Sequence, residues 1–369
     1  MRSVQPSLTR RYRARFCARR YGPILRPCNF CQYVAFEYDH RIANCVALHS
    51  CRVLTPVTGA RPTASFKGTD MITQNDSNPA GRLNKTWTCV EVDLGAISHP
   101  GHVRENNEDS YLVMRFGRSL ENLMTNLDQE LFEASYFMSG YGMLVADGMG
   151  GMAGGEVASR LALTNLIELI VDTSDWTLAL QREHDVTRVL ERMTDRFLQI
   201  DQILRKEADK DQTLRGMGTT LTVAGLLGSD LVIGHVGDSR AYLLRGDDFK
   251  QLTTDHTLAQ ALIDAGVANR DDPASRSMRH VLTAAVGSLG REVDPQVQRF
   301  KLQQGDRLLL CTDGLTEMVE DAMIADVLTD SNSAQTACQN LLDLALAGGG
   351  VDNITVVLAH FVSPWQTGL

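Results

Sequence analysis

No stretch of the sequence approaches about 18 consecutive apolar residues, so none reads as a membrane-spanning helix. Residues 1–36 contain no acidic residue, and they lack the continuous apolar core of a secretory signal. The glycine-rich stretch from Gly148 to Gly155 has no Lys-Ser/Thr to complete a nucleotide-binding P-loop. A serine nucleophile elbow is also missing: Gly237-Asp238-Ser239-Arg240 leads into a strand pattern rather than a helix. Cysteine is sparse beyond residue 70, where only Cys89, Cys311 and Cys338 occur. That is too few for a disulfide framework and favours a reducing, cytoplasmic setting, with Cys311 and Cys338 expected as buried thiols.

The 369 residues, 43% hydrophobic and 22% charged, sit near the globular average, which excludes wholesale disorder and collagen-like repetition. The net charge of −9 hides an asymmetry. Residues 1–70 carry 12 Lys+Arg against 3 acidic residues, whereas the rest carry 24 basic against 42 acidic. The expected organisation is a basic, cysteine-containing extension over 1–70 that does not fold, a polar linker over 71–89, and one domain over 90–363. Under this reading Met71 is an alternative natural start. Three other readings of the head stay open: an Arg-rich targeting segment, a zinc site from Cys28, Cys31, Cys45 and Cys51, and a basic arm for nucleic acid.

Within the body the periodicity predicts strands at 91–96, 110–114, 141–146, 307–311 and 353–361. It predicts helices at 119–132, 155–171, along 186–204, and at 334–347, the last closed by Gly348. The runs 219–227, 231–236, 240–245 and 249–252 read as a meander. Short loops between strands and helices that do not alternate strictly with them give an α+β layered domain with antiparallel sheets, not a doubly wound parallel one.

Several strands stop on a carboxylate. Leu144-Val145-Ala146 meets Asp147-Gly148, Val236 meets Gly237-Asp238, and Cys311-Thr312 meets Asp313-Gly314. Glu108-Asp109 opens one strand and Asp352-Asn353 another. Asp-Gly alone is ordinary turn chemistry. Five such ends, with no matching set of His or Cys, suit hard cations such as Mg²⁺ or Mn²⁺, because oxygen ligands select them and their charge offsets the mutual repulsion. A two-metal hydrolytic site is the natural inference.

These residues fall into segments that resemble, in order, the metal-dependent Ser/Thr protein phosphatases of the PPM family (type 2C), in the bacterial style. The segments are Gly101-His102-Val103-Arg104-Glu105-Asn106-Asn107-Glu108-Asp109, Val145-Ala146-Asp147-Gly148-Met149-Gly150-Gly151, Met217-Gly218-Thr219-Thr220, His235-Val236-Gly237-Asp238-Ser239-Arg240, Cys311-Thr312-Asp313-Gly314-Leu315 and Gly350-Val351-Asp352-Asn353. The resemblance implies a four-layer αββα sandwich, two antiparallel sheets flanked by helices. It implies that Asp147 bridges two Mg or Mn ions and that the Gly148 carbonyl completes one sphere. Asp313 and Asp352 would hold the first metal, Asp109 would serve the second through water with Glu108 nearby, and Asp238 would support a third. Arg104 would bind the substrate phosphate. The implied activity is hydrolysis of phosphoserine and phosphothreonine on proteins, reversing a cognate Ser/Thr kinase. The chain is expected to act as a monomer without nucleic acid or membrane. A catalytically weak phosphoprotein-binding regulator and a small-molecule phosphoesterase are the alternatives. Met149 stands where animal members have a histidine, and Met152 where bacterial members usually have one.

Overall fold

The computed structural model describes residues 91–362 apart from 122, 125–134, 151–153, 173–182, 270, 271, 273, 274, 276 and 289–291. The chain divides into Met1–Asp76 and Ser77–Leu369, and every described residue belongs to the second unit. The readings of the basic head and linker, and Met152, therefore lie outside the described residues.

In chain order the elements are β1 (Val92–His99), β2 (Asp109–Glu121), β3 (Ser135–Met149), α1 (Gly154–Val171) and α2 (Glu183–Lys210). Then come β4 (Gly218–Thr219), β5 (Leu221–Leu227), β6 (Asp230–Val236), β7 (Arg240–Arg245) and β8 (Asp248–Gln251). After α3 (Leu258–Asp264) follow β9 (Gln296–Lys301), β10 (Arg307–Cys311), α4 (Asp313–Thr316), α5 (Asp321–Asp330), α6 (Ala334–Ala347) and β11 (Ile354–Phe361). One sheet has the order β1-β11-β10-β7-β8 and the other β2-β3-β5-β6-β9, with β4 paired to β3. Every pairing is antiparallel.

The period-2 alternation of strand side chains assigns the layers. Met143 and Val145 of β3 face a core shared with Leu308, Leu310, Val357 and Ala359 of the other sheet. Their neighbours Leu144 and Ala146 face the opposite way, onto Ala158, Ala162 and Leu166 of α1 and Phe197 and Ile200 of α2. Leu309, Cys311, Val356 and Leu358 in turn pack on Ile324, Leu328, Leu341 and Ala345 of α5 and α6. The central strands are apolar on both faces because both faces are covered, and the result is the expected αββα sandwich. Cys311 and Cys338 are buried free thiols, pushed up to about 12 by burial.

Two expectations are corrected. The strand β2 continues through Ser119, Leu120 and Glu121, which pair with Phe137, Tyr136 and Ser135, so the first part of the predicted 119–132 helix is strand. The long β2–β3 ladder supplies backbone partners that outweigh a local 3.6-residue pattern; most of the remainder lies outside the described residues. The meander also breaks in the middle. β6 pairs with β5 and β9, whereas β7 pairs with β8 and β10, so the chain changes sheets at Gly237-Asp238-Ser239. Gly237 has φ +112, and a Cβ there would lie 2.5 Å from Thr220 Cγ2, so only glycine fits this crossing. Apolar strands on either side of a three-residue turn look alike whether they form a hairpin or join two packed sheets.

Candidate active site

The carboxylate-bearing strand ends meet at one end of the sandwich. The loop after β1 carries Arg104 and Glu108, and Asn353 fastens it. Its Nδ2 donates to the carbonyls of Pro100 (3.1 Å) and Asn106 (2.9 Å), and its Oδ1 accepts from the Glu108 N–H (2.7 Å). The Asn353 N–H donates to Asp352 Oδ1 at 2.8 Å, while Asp352 Oδ2 accepts from Arg104 Nη2 at 2.7 Å. The Arg104 side chain is 58% exposed and stands at the rim.

Asp147 is aimed by a backbone that is fully committed. Its N–H donates to Thr220 Oγ1 (2.9 Å), and its carbonyl accepts from the Thr220 N–H (2.9 Å) and from Thr219 Oγ1 (2.8 Å). Thr220 Oγ1 also meets Ser239 Oγ at 2.8 Å, which ties Asp147 to the turn that bears Asp238. At Gly148 a Cβ would lie 2.1 Å from the Gly155 carbonyl oxygen and 2.8 Å from that of Glu108, so α1, β2 and β3 approach here only because the residue is glycine.

Asp109 lies opposite Asp147 in the β2–β3 register. It is buried, and its Oδ2 accepts from Thr312 Oγ1 at 2.9 Å. That hydroxyl oxygen in turn accepts the Thr355 N–H at 3.0 Å. Asp109 Oδ1 and Asp313 Oδ1 are buried without a hydrogen-bond partner.

A cleft of about 740 Å³ is lined by Arg104, Glu108, Asp147, Gly148, Asp238, Asp313 and Asp352. Every site residue expected from the sequence is thus brought together, with Asp109 beneath the floor rather than on it. Met149, Thr220, His280, Glu317 and Asn353 also line this cleft. Thr312, Asn353, His280 and Glu317 were not among the expected residues. The Asp313-to-Glu317 spacing of four was a readable signal, since it puts both carboxylates on one side of a helical turn. His280 arrives from an irregular segment after α3 and gave none.

Burial and mutual repulsion shape the electrostatics. Burial, then the charges of Asp109, Asp313 and Asp238, raise Asp147 well above the usual carboxylate range. Burial raises Asp238 in the same way, with Asp313 and Asp255 adding to it. Asp109 is pushed up to about 7, chiefly by burial, and Asp313 to about 6 by burial and then by Glu317 and Asp352. Glu108 is raised as well, again mainly by burial. Carboxylates packed this closely do not all ionise unless cations balance them. The two orphaned buried oxygens and an all-oxygen donor set fit hard divalent ions, with Asp147, Asp313 and Asp352 as the residues able to hold them and Asp109 buried behind them.

An αββα sandwich with a carboxylate-lined, cation-ready cleft and an arginine at its rim has the architecture of a metal-dependent phosphatase. The family model described as protein phosphatase 2C matches residues 132–345, and the chain belongs to that family. It is 30% identical over 269 residues to the protein phosphatase PhpP of Streptococcus pneumoniae serotype 2, spanning 72% of this chain and 96% of that one. Among solved structures, the serine/threonine phosphatase of S. agalactiae superposes with a TM-score of 0.60 at 28% identity, covering 74% of this chain and all (100%) of the other. The catalytic domain of the serine/threonine protein phosphatase PstP, solved in complex with 2 manganese ions, superposes with a TM-score of 0.56 at 33% identity over 74% of this chain and 99% of the other.

Proposed function

We propose that the chain hydrolyses phosphoserine and phosphothreonine on proteins, using two Mg²⁺ or Mn²⁺ ions, and that it reverses a cognate Ser/Thr kinase. The observation that carries this reading is the convergence of Asp147, Asp313 and Asp352 on one cleft with Arg104 at its rim. When bound, two such cations acidify a water for in-line attack and offset the charge that develops on the phosphoryl oxygens. The protein's own residues supply the rest. Asp147, the Gly148 carbonyl, Asp313 and Asp352 would hold the cations, Asp109 would reach the second through water with Glu108 nearby, and Asp238 would support a third ion. Arg104, which donates to Asp352 at the rim, would offer the phosphate a planar, permanently charged fork. No side chain in the set is placed as a nucleophile, so no phosphoenzyme is expected. Buried free thiols at Cys311 and Cys338 are in keeping with a reducing compartment.

A substrate panel tests this. With Mn²⁺ present, a phosphothreonine protein is expected to be turned over with a kcat/KM above that for nucleotides and sugar phosphates. Preference for a small phosphoester would make the chain a small-molecule phosphoesterase. Tight phosphoprotein binding without phosphate release would make it a regulator.

A further inference from the structure

A second cleft of about 860 Å³ adjoins the first and shares Asp313, His280 and Glu317 with it. These three residues form a cluster that the two-cation centre does not use as a set. His280 Nδ1 lies 2.5 Å from Glu317 Oε1, and one ligand atom from each of His280, Asp313 and Glu317 lies within 4.8 Å of the others. His280 comes from the excursion between β8 and β9, while Asp313 opens α4 and Glu317 follows its last residue. The orphaned, buried Asp313 Oδ1 belongs to the same cluster residue.

The chemistry differs from that of the cleft floor. An imidazole nitrogen with two carboxylate oxygens is a mixed donor set, which favours zinc over Mg²⁺ or Mn²⁺. Three protein ligands with a fourth position open to solvent is the usual form of an accessible zinc site. Ligand atoms around a tetrahedral zinc stand about 3.3 Å apart, given bonds of roughly 2.0–2.1 Å. The His280 side chain is 62% accessible, so it has room to turn toward a bound ion.

We propose that His280, Glu317 and Asp313 form a zinc site on the wall between the two clefts, sharing Asp313 with the all-oxygen centre, and that zinc bound there inhibits the enzyme. Occupancy ties Asp313, on which the oxygen centre depends, to the excursion that carries His280. The inhibition rests on the phosphatase reading; the zinc site itself does not.

The test is a calorimetric zinc titration of the full chain saturated with Mg²⁺, run in parallel with zinc inhibition of aryl phosphate hydrolysis. The wild-type chain is expected to bind one zinc ion at least 100-fold more tightly than His280→Ala or Glu317→Gln. The inhibition midpoint should move by the same factor. His280→Ala should keep its Mg²⁺-supported turnover, which shows that it is folded. Co²⁺ in place of zinc should give a tetrahedral visible spectrum in the wild type that His280→Ala lacks. Zinc affinity in His280→Ala within threefold of wild type overturns the proposal, as does loss of zinc binding in Asp238→Ala alone. Absence of any phosphate release by the wild type in zinc-free buffer would count against the phosphatase reading while leaving the titration readable.

Discussion

Replacing Asp109 by asparagine should stabilise the chelated protein while weakening its hold on cations. Asp109 is buried, faces Asp147 across the β2–β3 ladder, and titrates at about 7 instead of its ordinary 3.8, because of burial first and then the charges of Asp313 and Asp352. Between those two values the folded chain keeps a proton that the unfolded chain has released. Stability contributed by this group is therefore whole below about pH 4 and declines as pH rises toward 7. Above both values the ionised group costs the fold on the order of 4 kcal/mol. Asparagine has nearly the same shape, and its side-chain oxygen can still accept the Thr312 hydroxyl. Urea denaturation in EDTA at pH 7.5 should find Asp109→Asn more stable than wild type by about 2–4 kcal/mol, the gap closing by about pH 4. In Mn²⁺ the gap should shrink, since a cation at 100 times its Kd adds about 2.7 kcal/mol to the chain that binds it. A variant less stable than wild type in EDTA at pH 7.5, or a gap that ignores pH, would refute the electrostatic reasoning.

Two further outcomes follow from the geometry. Arg104→Ala should raise KM for a phosphopeptide at least tenfold, about 1.4 kcal/mol, and Arg104→Lys should recover only part of it because the bidentate fork is gone; an unchanged KM would remove Arg104 from the phosphate site. His235 is buried against Thr222 and His256 and is lowered to about 3, chiefly by burial, so the unfolded chain takes up its proton first. Its contribution is whole above about pH 6.5 and shrinks by about 1.4 kcal/mol per pH unit on the way down, and His235→Gln should flatten that limb in EDTA; an equal acid slope in both proteins would contradict it.

The sequence made the site legible where chemistry and backbone coincide. Asp147, Asp238, Asp313 and Asp352 sit at strand ends or tight turns, and a local pattern records both the carboxylate and the turn that presents it. The sandwich was legible because strands such as 354–361 are apolar on both faces. Partners that depend on long-range packing were not. Thr312 matters because Asp109 and Thr355 converge on its hydroxyl, and Asn353 because the loop from Pro100 to Glu108 folds back onto it. Neither contact leaves a trace in the spacing of nearby residues. The sheet change at Gly237 and the extension of β2 past residue 119 were hidden for the same reason, since strand partners are chosen by the whole sheet. The short helices α3 and α5 lacked a periodic stretch long enough to stand out.

The most direct test of the central claim is phosphate release from a phosphothreonine protein with Mn²⁺, with Mn²⁺ plus excess EDTA, and by Asp147→Asn with Mn²⁺. Asp147 stands at the convergence of the site, and its neutral isostere removes a charge without a change of shape. Release is expected with Mn²⁺ alone, with turnover abolished by EDTA and reduced more than tenfold in the variant, a loss above about 1.4 kcal/mol of transition-state stabilisation. Full turnover in excess EDTA, or a variant that keeps more than about a tenth of wild-type kcat, would contradict a cation-dependent centre built on Asp147.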